Sequence, residues 1–327
     1  MNTITKIKEL LNEDLEALNK LIIDNFKVGN ELIEKIALHI INGKGKRLRP
    51  LLTILCSKML GHNKGLDIKL AAAIEMIHVA TLLHDDVIDN SKMRRFAATA
   101  NFLWGDKASI LVGDYMFSKA FMLMVETNSI DALTLLSLTS SKIVEGETKQ
   151  LNYLHQNGMM NLDMYFNMIH DKTALLFSAA AEVGAIITQN HSLRERMQSF
   201  GKNIGMMYQV IDDYLDYFGK DLGKNIGVDL SEGKITIPII LVYEKVTTKE
   251  QNYIKSIFFD KQTDNSFDEV LHILNKYNIA EEVNAIINDI KIKAEKDLIS
   301  ISPNKHEAKV FQKSLFELLE FLSTRTF

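Results

Sequence analysis

Residues 66–89, "LDIKLAAAIEMIHVATLLHDDVID", combine two patterns. The apolar residues recur at steps of three and four, which is the spacing of a buried helix face. The last turn of the predicted helix holds Asp85, Asp86 and Asp89 on one side. A long buried helix that ends in concentrated negative charge has to be explained by both fold and function.

The helical pattern continues along the rest of the chain. "ITKIKELLNEDLEALNKLI" and "AEEVNAIINDIKIKAEKDLI" repeat the same steps, whereas alternating, strand-like stretches are scarce. Three prolines in 327 residues leave few helix breakers. We therefore predict an all-α fold, a single large helical bundle in which residues 1–327 form one domain. Its long central helices are predicted at residues 66–90, 97–126, 129–156, 160–189 and 192–218.

The composition limits the cell compartment and the partners. The 38 basic and 42 acidic residues nearly balance, so no global field favours nucleic acid or an anionic membrane surface. A single cysteine, Cys56, excludes an internal disulfide and fits a reducing cytosol. The longest aliphatic runs, such as "IPIILVY", are well short of the ~20 residues that a membrane span needs. We expect a soluble, cytoplasmic protein with no transmembrane segment and no nucleic-acid partner.

The D-D-x-x-D pattern occurs a second time, in "YQVIDDYLDYFGK", with Asp212, Asp213 and Asp216. Like charges at this spacing destabilise a helix by about 0.2–0.5 kcal/mol per pair. A solvated surface turn is the simpler interpretation, but the flanks of both turns are apolar. If the two turns met in the fold, six carboxylates would form a hard oxygen site suited to Mg²⁺ or Mn²⁺. Such a site predicts a phosphorylated ligand, because Mg²⁺ usually shares its coordination with phosphate oxygens.

A carboxylate-bridged di-iron centre is the competing metal site. Its E-x-x-H half-motif occurs at Glu75 and His78 and again at Glu269 and His272. The second copy shares a helix face with polar and charged residues, which is typical of a solvated stripe. His78 lies two turns before Asp85 on almost the same face, so it is a candidate for the acidic site, with a buried structural histidine as the alternative.

Basic residues follow or precede these segments in positions that suit phosphates. "GKGKRLRP" places Lys44, Lys46, Arg47 and Arg49 just before a helix whose first turn holds Pro50. Helix amino termini favour anions, and the side chains add charge-assisted hydrogen bonds. Arg94 and Arg95 follow the first acidic turn, where they would neutralise it or bind the phosphates that its metals hold.

Further polar groups lie near the second turn. Lys172 and Thr173 stand at the edge of an apolar helix, where a buried lysine needs an anionic partner. Gln209 lies one turn ahead of the second acidic turn and faces the same way. Lys224 and Lys234 belong to a Gly- and Lys-rich stretch that we interpret as a mobile loop whose closure excludes water.

Taken together and in order, these motifs resemble those of the trans-isoprenyl diphosphate synthases, the polyprenyl synthetase family. "HDDVIDNSKMRR" resembles the first aspartate-rich motif of the family, and "YQVIDDYLDYFGKDLGKNIGVDLSEGK" resembles the second with its lysine-bearing loop. "GKGKRLRP", "VEGETKQLN" and "DKTALLF" are similar to the other blocks, and the resemblance covers nearly the whole chain. The residues of the first motif and its preceding helix are most similar to those of the octaprenyl diphosphate synthases, which supply quinone side chains. The resemblance implies an isoprenoid synthase helical bundle with a deep central cavity, and a homodimer.

The resemblance also implies a role for each motif residue. Two Mg²⁺ ions would be bound by Asp85 and Asp89 with Asp86 nearby, and a third by Asp212 with Asp213 and Asp216 in support; Mn²⁺ is the alternative ion. Isopentenyl diphosphate would be bound by Lys46, Arg49, His78 and Arg95, and the allylic diphosphate by Arg94. The departing diphosphate would be stabilised by Lys172, Gln209, Lys224 and Lys234, with Thr173 beside the allylic cation.

Product length is expected to depend on the helix that leads into the first turn. One turn before Asp85 lie Ala80 and Thr81, both small, and Ile77 lies one turn further along. In the family, aromatic residues at the positions of Ala80 and Thr81 stop elongation of the product early. Their absence predicts a long product, with octaprenyl (C40) diphosphate as the expectation. Ordinary helix packing is the alternative reason for small residues there.

Three alternatives to octaprenyl synthesis remain open at this level. The chain could be a polyprenyl diphosphate synthase of shorter or longer product. It could be a class I terpene cyclase, although a second D-D-x-x-D and the isopentenyl-binding cations argue against this. It could be a non-catalytic subunit of a heteromeric synthase, although such subunits tend to lack the aspartate turns, and both are intact here.

Overall fold

The computed structural model describes residues 3–41, 43, 45–62, 65–94, 97–155, 158–219, 226–259, 266–302 and 306–324. Helices dominate this described part, and its one sheet is an antiparallel hairpin of two short strands. The fold class is therefore all-α, as predicted. The elements are α1 (Thr3–Leu10), α2 (Asn12–Phe26), α3 (Glu31–Ile41), α4 (Leu48–Met59), α5 (Leu66–Ile88), β1 (Met93–Arg94), β2 (Ala97–Ala98), α6 (Ala100–Trp104), α7 (Asp106–Val125), α8 (Ile130–His155), α9 (Leu162–Ile169), a π-helical turn (His170–Ala174), α10 (Leu175–Ile187), a 3₁₀ turn (His191–Leu193), α11 (Arg194–Phe218), α12 (Val228–Ser231), α13 (Ile237–Tyr243), α14 (Thr248–Phe259), α15 (Ser266–Lys276), α16 (Ile279–Ile299) and α17 (His306–Ser323).

The chain divides into two compact units, each made of several segments. The first unit comprises Met1–Ser140, Ala179–Gln198 and Ile301–Leu318, and the second comprises Ser141–Ser178, Ser199–Ser300 and Leu319–Phe327. Most of the boundaries fall inside helices, as in α8, α10, α11 and α17. Since no linker marks them, the composition gives no sign of a division.

In the first unit, the predicted buried helix is α5, which packs along α7 and also contacts α4 and α2. The α5–α7 pair is antiparallel and is tied near both ends. Lys69 Nζ lies 2.9 Å from Glu126 Oε2, and Ser109 Oγ donates to the backbone oxygen of Leu83 at 3.0 Å. This packing fixes the carboxyl end of α5, where the first acidic turn lies.

The single helix predicted at residues 97–126 is wrong in its first third. The hairpin and α6 occupy that stretch, and α7 begins after Gly105, whose φ of 84° ends α6. Thr99 Oγ1 donates to the backbone oxygen of Ser91 at 2.7 Å and closes the hairpin. The apolar spacing continues across the glycine, so periodicity alone predicts one helix.

In the second unit, the π-helical turn His170–Ala174 lies between α9 and α10 and places consecutive side chains in two different directions. Two glycines allow neighbouring helices to approach it closely. A Cβ at Gly205 of α11 would lie 2.5 Å from Ala174 Cα, and one at Gly146 of α8 would lie 2.9 Å from the Lys172 backbone nitrogen. Because π-turns often occur at functional sites, this turn is a natural position for reactive side chains.

Helix α7 carries large apolar residues on its exposed side as well as on its buried side. Among the described residues it is the one helix long and apolar enough to cross a membrane, with a mean hydropathy of 1.4, and 39% of its apolar window is buried. Its packing along α5 accounts for the buried side. Its exposed side carries Ile110, Leu111, Phe121, Met122 and Val125.

Candidate active site

The first acidic turn lies at the carboxyl end of α5. Asp89 ends the helix, and its backbone N–H donates to the backbone oxygen of Asp85 at 2.8 Å. Asp85 is half-buried and Asp89 is exposed. Asp86 is buried between them, and its Oδ1 accepts a hydrogen bond from Arg94 Nε at 2.8 Å. The hairpin therefore supplies a cation to the middle carboxylate, and the outer two present accessible oxygens.

The electrostatics of this turn follow from its burial. Burial raises the pKa of Asp86, and the Arg94 guanidinium offsets part of that rise. The buried Asp86 carboxylate therefore depends on the neighbouring Arg94 guanidinium to remain ionised. Arg94, predicted to bind the allylic diphosphate, thus lies at the first turn and contacts one of its aspartates.

The second acidic turn has a different environment. Asp213 is buried in α11, and both of its oxygens accept hydrogen bonds from neutral donors. The Tyr165 hydroxyl donates to Oδ2 at 2.5 Å, and Gln209 Nε2 donates to Oδ1 at 2.7 Å. The Thr173 hydroxyl in turn donates to Gln209 Oε1 at 2.9 Å. Burial raises the pKa of Asp213 to about 7, against the opposing effect of these hydrogen bonds. Asp212 is half-buried beside it.

Asp216 holds the segment that follows the second turn. Its carboxylate accepts the backbone N–H groups of Val228 at 3.1 Å and Asp229 at 3.0 Å, and its backbone oxygen accepts the N–H of Gly227 at 2.8 Å. We predicted a mobile loop over this Gly-rich stretch. In the described part of this stretch, residues 226–234, Val228–Ser231 form the short helix α12, and these contacts join its amino-terminal end to Asp216. The mobility of the stretch stays a prediction.

Asp229 is a functional candidate that the sequence reasoning missed. Burial, together with the charges of Asp213 and Asp216, raises the pKa of Asp229 well above its ordinary range. Since its backbone N–H also donates to Asp216, Asp229 is a fourth carboxyl group beside Asp212, Asp213 and Asp216, and the four form the second acidic cluster. The sequence signal that could have identified Asp229 was its position in "GVDLSEGK", at the end of the Gly-rich stretch that follows the second D-D-x-x-D pattern.

The anionic partner that we predicted for Lys172 is Glu147. Lys172 Nζ lies 2.7 Å from Glu147 Oε1 and donates to Gln150 Oε1 at 2.9 Å. Both partners lie on α8, in the stretch "VEGETKQLN". Sequence reasoning singled out this stretch as a block but assigned no role to either residue.

Only one of the two lysines predicted in the Gly-rich stretch lies within the described residues. Lys234 Nζ forms an ion pair with Glu232 at 2.6 Å, and its backbone N–H donates to the backbone oxygen of Asp229 at 2.8 Å. Lys224 lies outside the described residues. Of the predicted pair, only Lys234 has a described position, next to the second acidic cluster.

The residues predicted to bind isopentenyl diphosphate belong to the first unit. Lys46 is exposed just before α4, and Arg49 is half-buried in the first turn of that helix, which also holds Pro50 as predicted. His78 is half-buried on α5, two turns before the acidic turn. Arg95 lies outside the described residues.

The three residues predicted to control product length fall into two groups. Ile77 and Ala80 have no exposed surface and are part of the packed core of the first unit. Thr81 is half-buried, and its hydroxyl donates to the backbone oxygen of His78 at 2.8 Å. Of the three, Thr81 alone keeps accessible surface beside the acidic turn.

The donor set fits Mg²⁺ better than iron. Glu269 and His272, the second half of the proposed di-iron motif, are exposed on α15, so that alternative fails. Within the described residues, no three Asp, Glu, His or Cys side chains lie close enough to hold a metal ion by themselves. Mg²⁺ is commonly held by one or two carboxylates, with water and phosphate oxygens completing its shell. The accessible oxygens of Asp85, Asp89 and Asp212 match that requirement.

A helical fold with two aspartate turns and several basic side chains in the motifs around them is typical of the helical enzymes that act on diphosphates. The family model of the polyprenyl synthetases matches residues 30–275. The chain is 36% identical over 275 residues to the octaprenyl diphosphate synthase of Escherichia coli (strain K12), an alignment that covers 83% of this chain and 85% of that protein.

Solved structures agree with this assignment. The decaprenyl diphosphate synthase from Rhodobacter capsulatus superposes with a TM-score of 0.93 at 33% identity, covering 99% of both chains. A polyprenyl synthase from Caulobacter crescentus CB15, complexed with calcium and isoprenyl diphosphate, gives a TM-score of 0.91 at 35% identity over 98% of this chain and 97% of that one. The chain belongs to the polyprenyl synthetase family and is a trans-prenyl diphosphate synthase, a prenyltransferase, as its motifs predict.

Proposed function

We propose that this synthase elongates farnesyl diphosphate with isopentenyl diphosphate units to all-trans octaprenyl (C40) diphosphate, a precursor of quinone side chains. The observation that carries the proposal is the 36% identity to an octaprenyl diphosphate synthase over 83% of this chain. The small residues Ala80 and Thr81 before the first acidic turn agree with a long product.

We propose that each acidic turn supplies its own metal ligands for this reaction. Asp85 and Asp89 bind two Mg²⁺ ions and Asp212 a third, with Mn²⁺ as the alternative ion. The described hydrogen bonds support this division, because the other three aspartates already have partners. Asp86 is buried and bonded to Arg94, and Asp213 is buried and bonded to Tyr165 and Gln209. Asp216 accepts backbone N–H groups. The ions, when bound, supply stabilisation of the charge that builds on the leaving diphosphate.

The protein's own cations are proposed to bind the two substrates. Lys46, Arg49, His78 and Arg95 bind isopentenyl diphosphate, and Arg94 binds the allylic diphosphate. Lys172, Gln209, Lys224 and Lys234 stabilise the departing diphosphate. Glu147 and Gln150 hold the Lys172 ammonium in place before substrate arrives, which lowers the conformational entropy lost when it binds a phosphate. The Thr173 hydroxyl faces the allylic cation.

We further propose that residues 1–327 act as one catalytic domain and that the protein is a homodimer. The family match at residues 30–275 includes segments of both compact units. The exposed side of α7 is apolar, yet it carries the exposed Asp114 near mid-helix. A carboxylate at that depth is costly in hydrocarbon, so the same face of a second copy suits this surface better than lipid does.

Product analysis tests the proposed reaction. Incubation with farnesyl diphosphate, isopentenyl diphosphate and Mg²⁺, followed by chromatography, is expected to give a linear C40 diphosphate. A shorter or longer linear product would contradict the octaprenyl assignment alone. A cyclic hydrocarbon would identify a terpene cyclase, and the absence of turnover would identify a non-catalytic subunit.

The oligomeric state is tested separately. Leu111→Glu places a charge on the apolar side of α7 and is expected to shift the mass measured by light scattering from dimer to monomer. Leu32→Glu, at another exposed leucine on α3, is the matched control and is expected to leave the mass unchanged. A monomeric wild-type protein would refute the dimer.

A further inference from the structure

Tyr165 is a buried polar residue to which no motif assigns a role. It lies on α9 with no exposed surface, and its hydroxyl contacts the middle carboxylate of the second acidic turn, Asp213, at 2.5 Å. Burying a tyrosine hydroxyl requires a hydrogen-bond partner, and for Tyr165 that partner is a carboxylate of the second acidic turn. The contact therefore calls for a functional explanation as well as a structural one.

The contact begins a chain of hydrogen bonds whose directions are fixed when Asp213 is ionised. Asp213 accepts from Tyr165 at one oxygen and from Gln209 Nε2 at the other, at 2.5 and 2.7 Å. The amide of Gln209 must then turn its Oε1 away from the carboxylate, and there it accepts the hydroxyl of Thr173 at 2.9 Å. A threonine hydroxyl has one proton, so the lone pairs of the Thr173 oxygen point elsewhere.

We propose that Tyr165 is a positioning residue that sets the polarity of the Thr173 hydroxyl through Asp213 and Gln209. With the Thr173 proton committed to Gln209, the hydroxyl presents its negative end to the allylic cation. A dipole that is oriented before the reaction stabilises developing charge without reorganising. The proposal rests on the proposed placement of Thr173 beside that cation.

Removal of the Tyr165 hydroxyl has a specific expected consequence. In Tyr165→Phe, Asp213 loses one of its two donors, so its carboxylate can rotate and no longer fixes the orientation of the Gln209 amide. Gln209, proposed to stabilise the departing diphosphate, is in this chain and acts on the chemical step. The cations proposed to bind the substrates, including Lys172 with its partners Glu147 and Gln150, are not in it. The chemical step should therefore slow while substrate binding is retained.

The matched control is Tyr214→Phe. Tyr214 is also buried and is next to Asp213 in α11, but its hydroxyl contacts Asn284 of α16 at 3.4 Å instead of a carboxylate. The two substitutions remove the same atom from two buried tyrosines in the second unit. Only one of them interrupts the chain that reaches Thr173.

Steady-state kinetics with farnesyl and isopentenyl diphosphates at saturating Mg²⁺ test the proposal. Y165F is expected to lower kcat by about 10–100-fold, the usual effect of losing a residue that orients a site, with both KM values retained. Y214F is expected to keep the wild-type kcat. Added to Thr173→Ala, Y165F is expected to cause little further loss, because both changes break the same chain.

Several results would overturn the proposal. These are a wild-type kcat in Y165F, an equal loss in Y214F, a Y165F loss that multiplies with that of T173A, or a Y165F protein that lacks the far-ultraviolet dichroism of a folded helical protein. The last result would assign Tyr165 to stability alone. Absence of turnover in the wild-type enzyme would instead refute the proposed function, so the two failures are distinguishable.

Discussion

The two acidic turns share the pattern D-D-x-x-D but hold their middle aspartates in different ways. At the first turn the middle aspartate is held by a cation, Arg94 of the hairpin. At the second turn the middle aspartate is held by two neutral groups, Tyr165 and Gln209. The first turn ends its helix, whereas the second lies inside one and its last aspartate, Asp216, holds the following segment.

The difference shows that equal sequence patterns do not imply equal sites. A buried carboxylate next to an arginine is stabilised by a local charge, whereas one next to neutral donors depends on precise packing of its neighbours. We therefore expect the first turn to be sensitive to loss of charge and the second to be sensitive to changes in packing.

The largest expected effects come from the outer aspartates, which should be equivalent if both turns bind metal. Asp85→Asn and Asp212→Asn are each expected to lower kcat/KM by about 10²–10³-fold or more, because each removes a ligand for ions that stabilise the leaving group. Asp163→Asn, at an exposed aspartate of α9, is the control for a general charge effect. Full activity in one of the two variants would show that its turn is not a metal site.

Packing is expected to matter more at the second turn. In Gly205→Ala the new Cβ would lie 2.5 Å from the backbone of Ala174, which should lower the free energy of unfolding by about 1–3 kcal/mol. In Gly113→Ala, beside the first turn, the Cβ would meet the ring end of the His84 side chain at 2.3 Å, and that ring can move. Thermal unfolding should therefore show a clearly larger loss for G205A.

Gly158→Ala is the control for both glycine substitutions, because a Cβ there meets nothing within 4 Å. Its unfolding temperature is expected to match that of the wild-type protein. A G113A loss as large as that of G205A would remove the proposed difference in packing between the turns.

The helix that leads into the first turn offers a second contrast. Thr81→Phe adds an aromatic ring where accessible surface remains and is expected to shorten the product. Ala80→Phe adds one to the packed core and is expected to lower the free energy of unfolding by about 1–3 kcal/mol. Product chromatography and thermal unfolding of both variants check this. An unchanged product in T81F would refute the assignment of chain-length control to this helix face.

The smallest expected effect is the loss of the cation at the first turn. Arg94→Gln leaves Asp86 buried without its charged partner, and since Arg94 is partly exposed, we expect a loss of about 1 kcal/mol of unfolding free energy. Lys92→Gln, at an exposed residue of the same segment, should be neutral. Equal unfolding temperatures for the two variants would show that Arg94 does not stabilise the turn.

Sequence alone could predict the parts of the structure that local rules determine. The all-α class and the bounds of α5, α8 and α11 follow from apolar spacing, and the acidic turns stand out because few patterns place so much like charge between apolar flanks. The need of Lys172 for an anion followed from its apolar surroundings, but the identity of Glu147 did not. Spacing gave no sign of the break at Gly105, because a positive φ leaves the apolar pattern unchanged.

The residues that sequence reasoning missed depend on contacts between distant segments. Tyr165 and Asp213 are far apart in the chain, and Asp229 belongs to the acidic cluster only because Asp216 holds its backbone. A tyrosine in an apolar helix has the pattern of an ordinary core residue. Its role emerges only once the fold places its hydroxyl on a carboxylate.

The central claim is that both acidic turns bind magnesium ions that hold a diphosphate. Isothermal titration of inorganic diphosphate into the wild-type protein, with and without Mg²⁺, tests it most directly when repeated with D85N and D212N. We predict binding that requires Mg²⁺ and is weakened in both variants. Equal binding without Mg²⁺, or wild-type affinity in either variant, would contradict the claim.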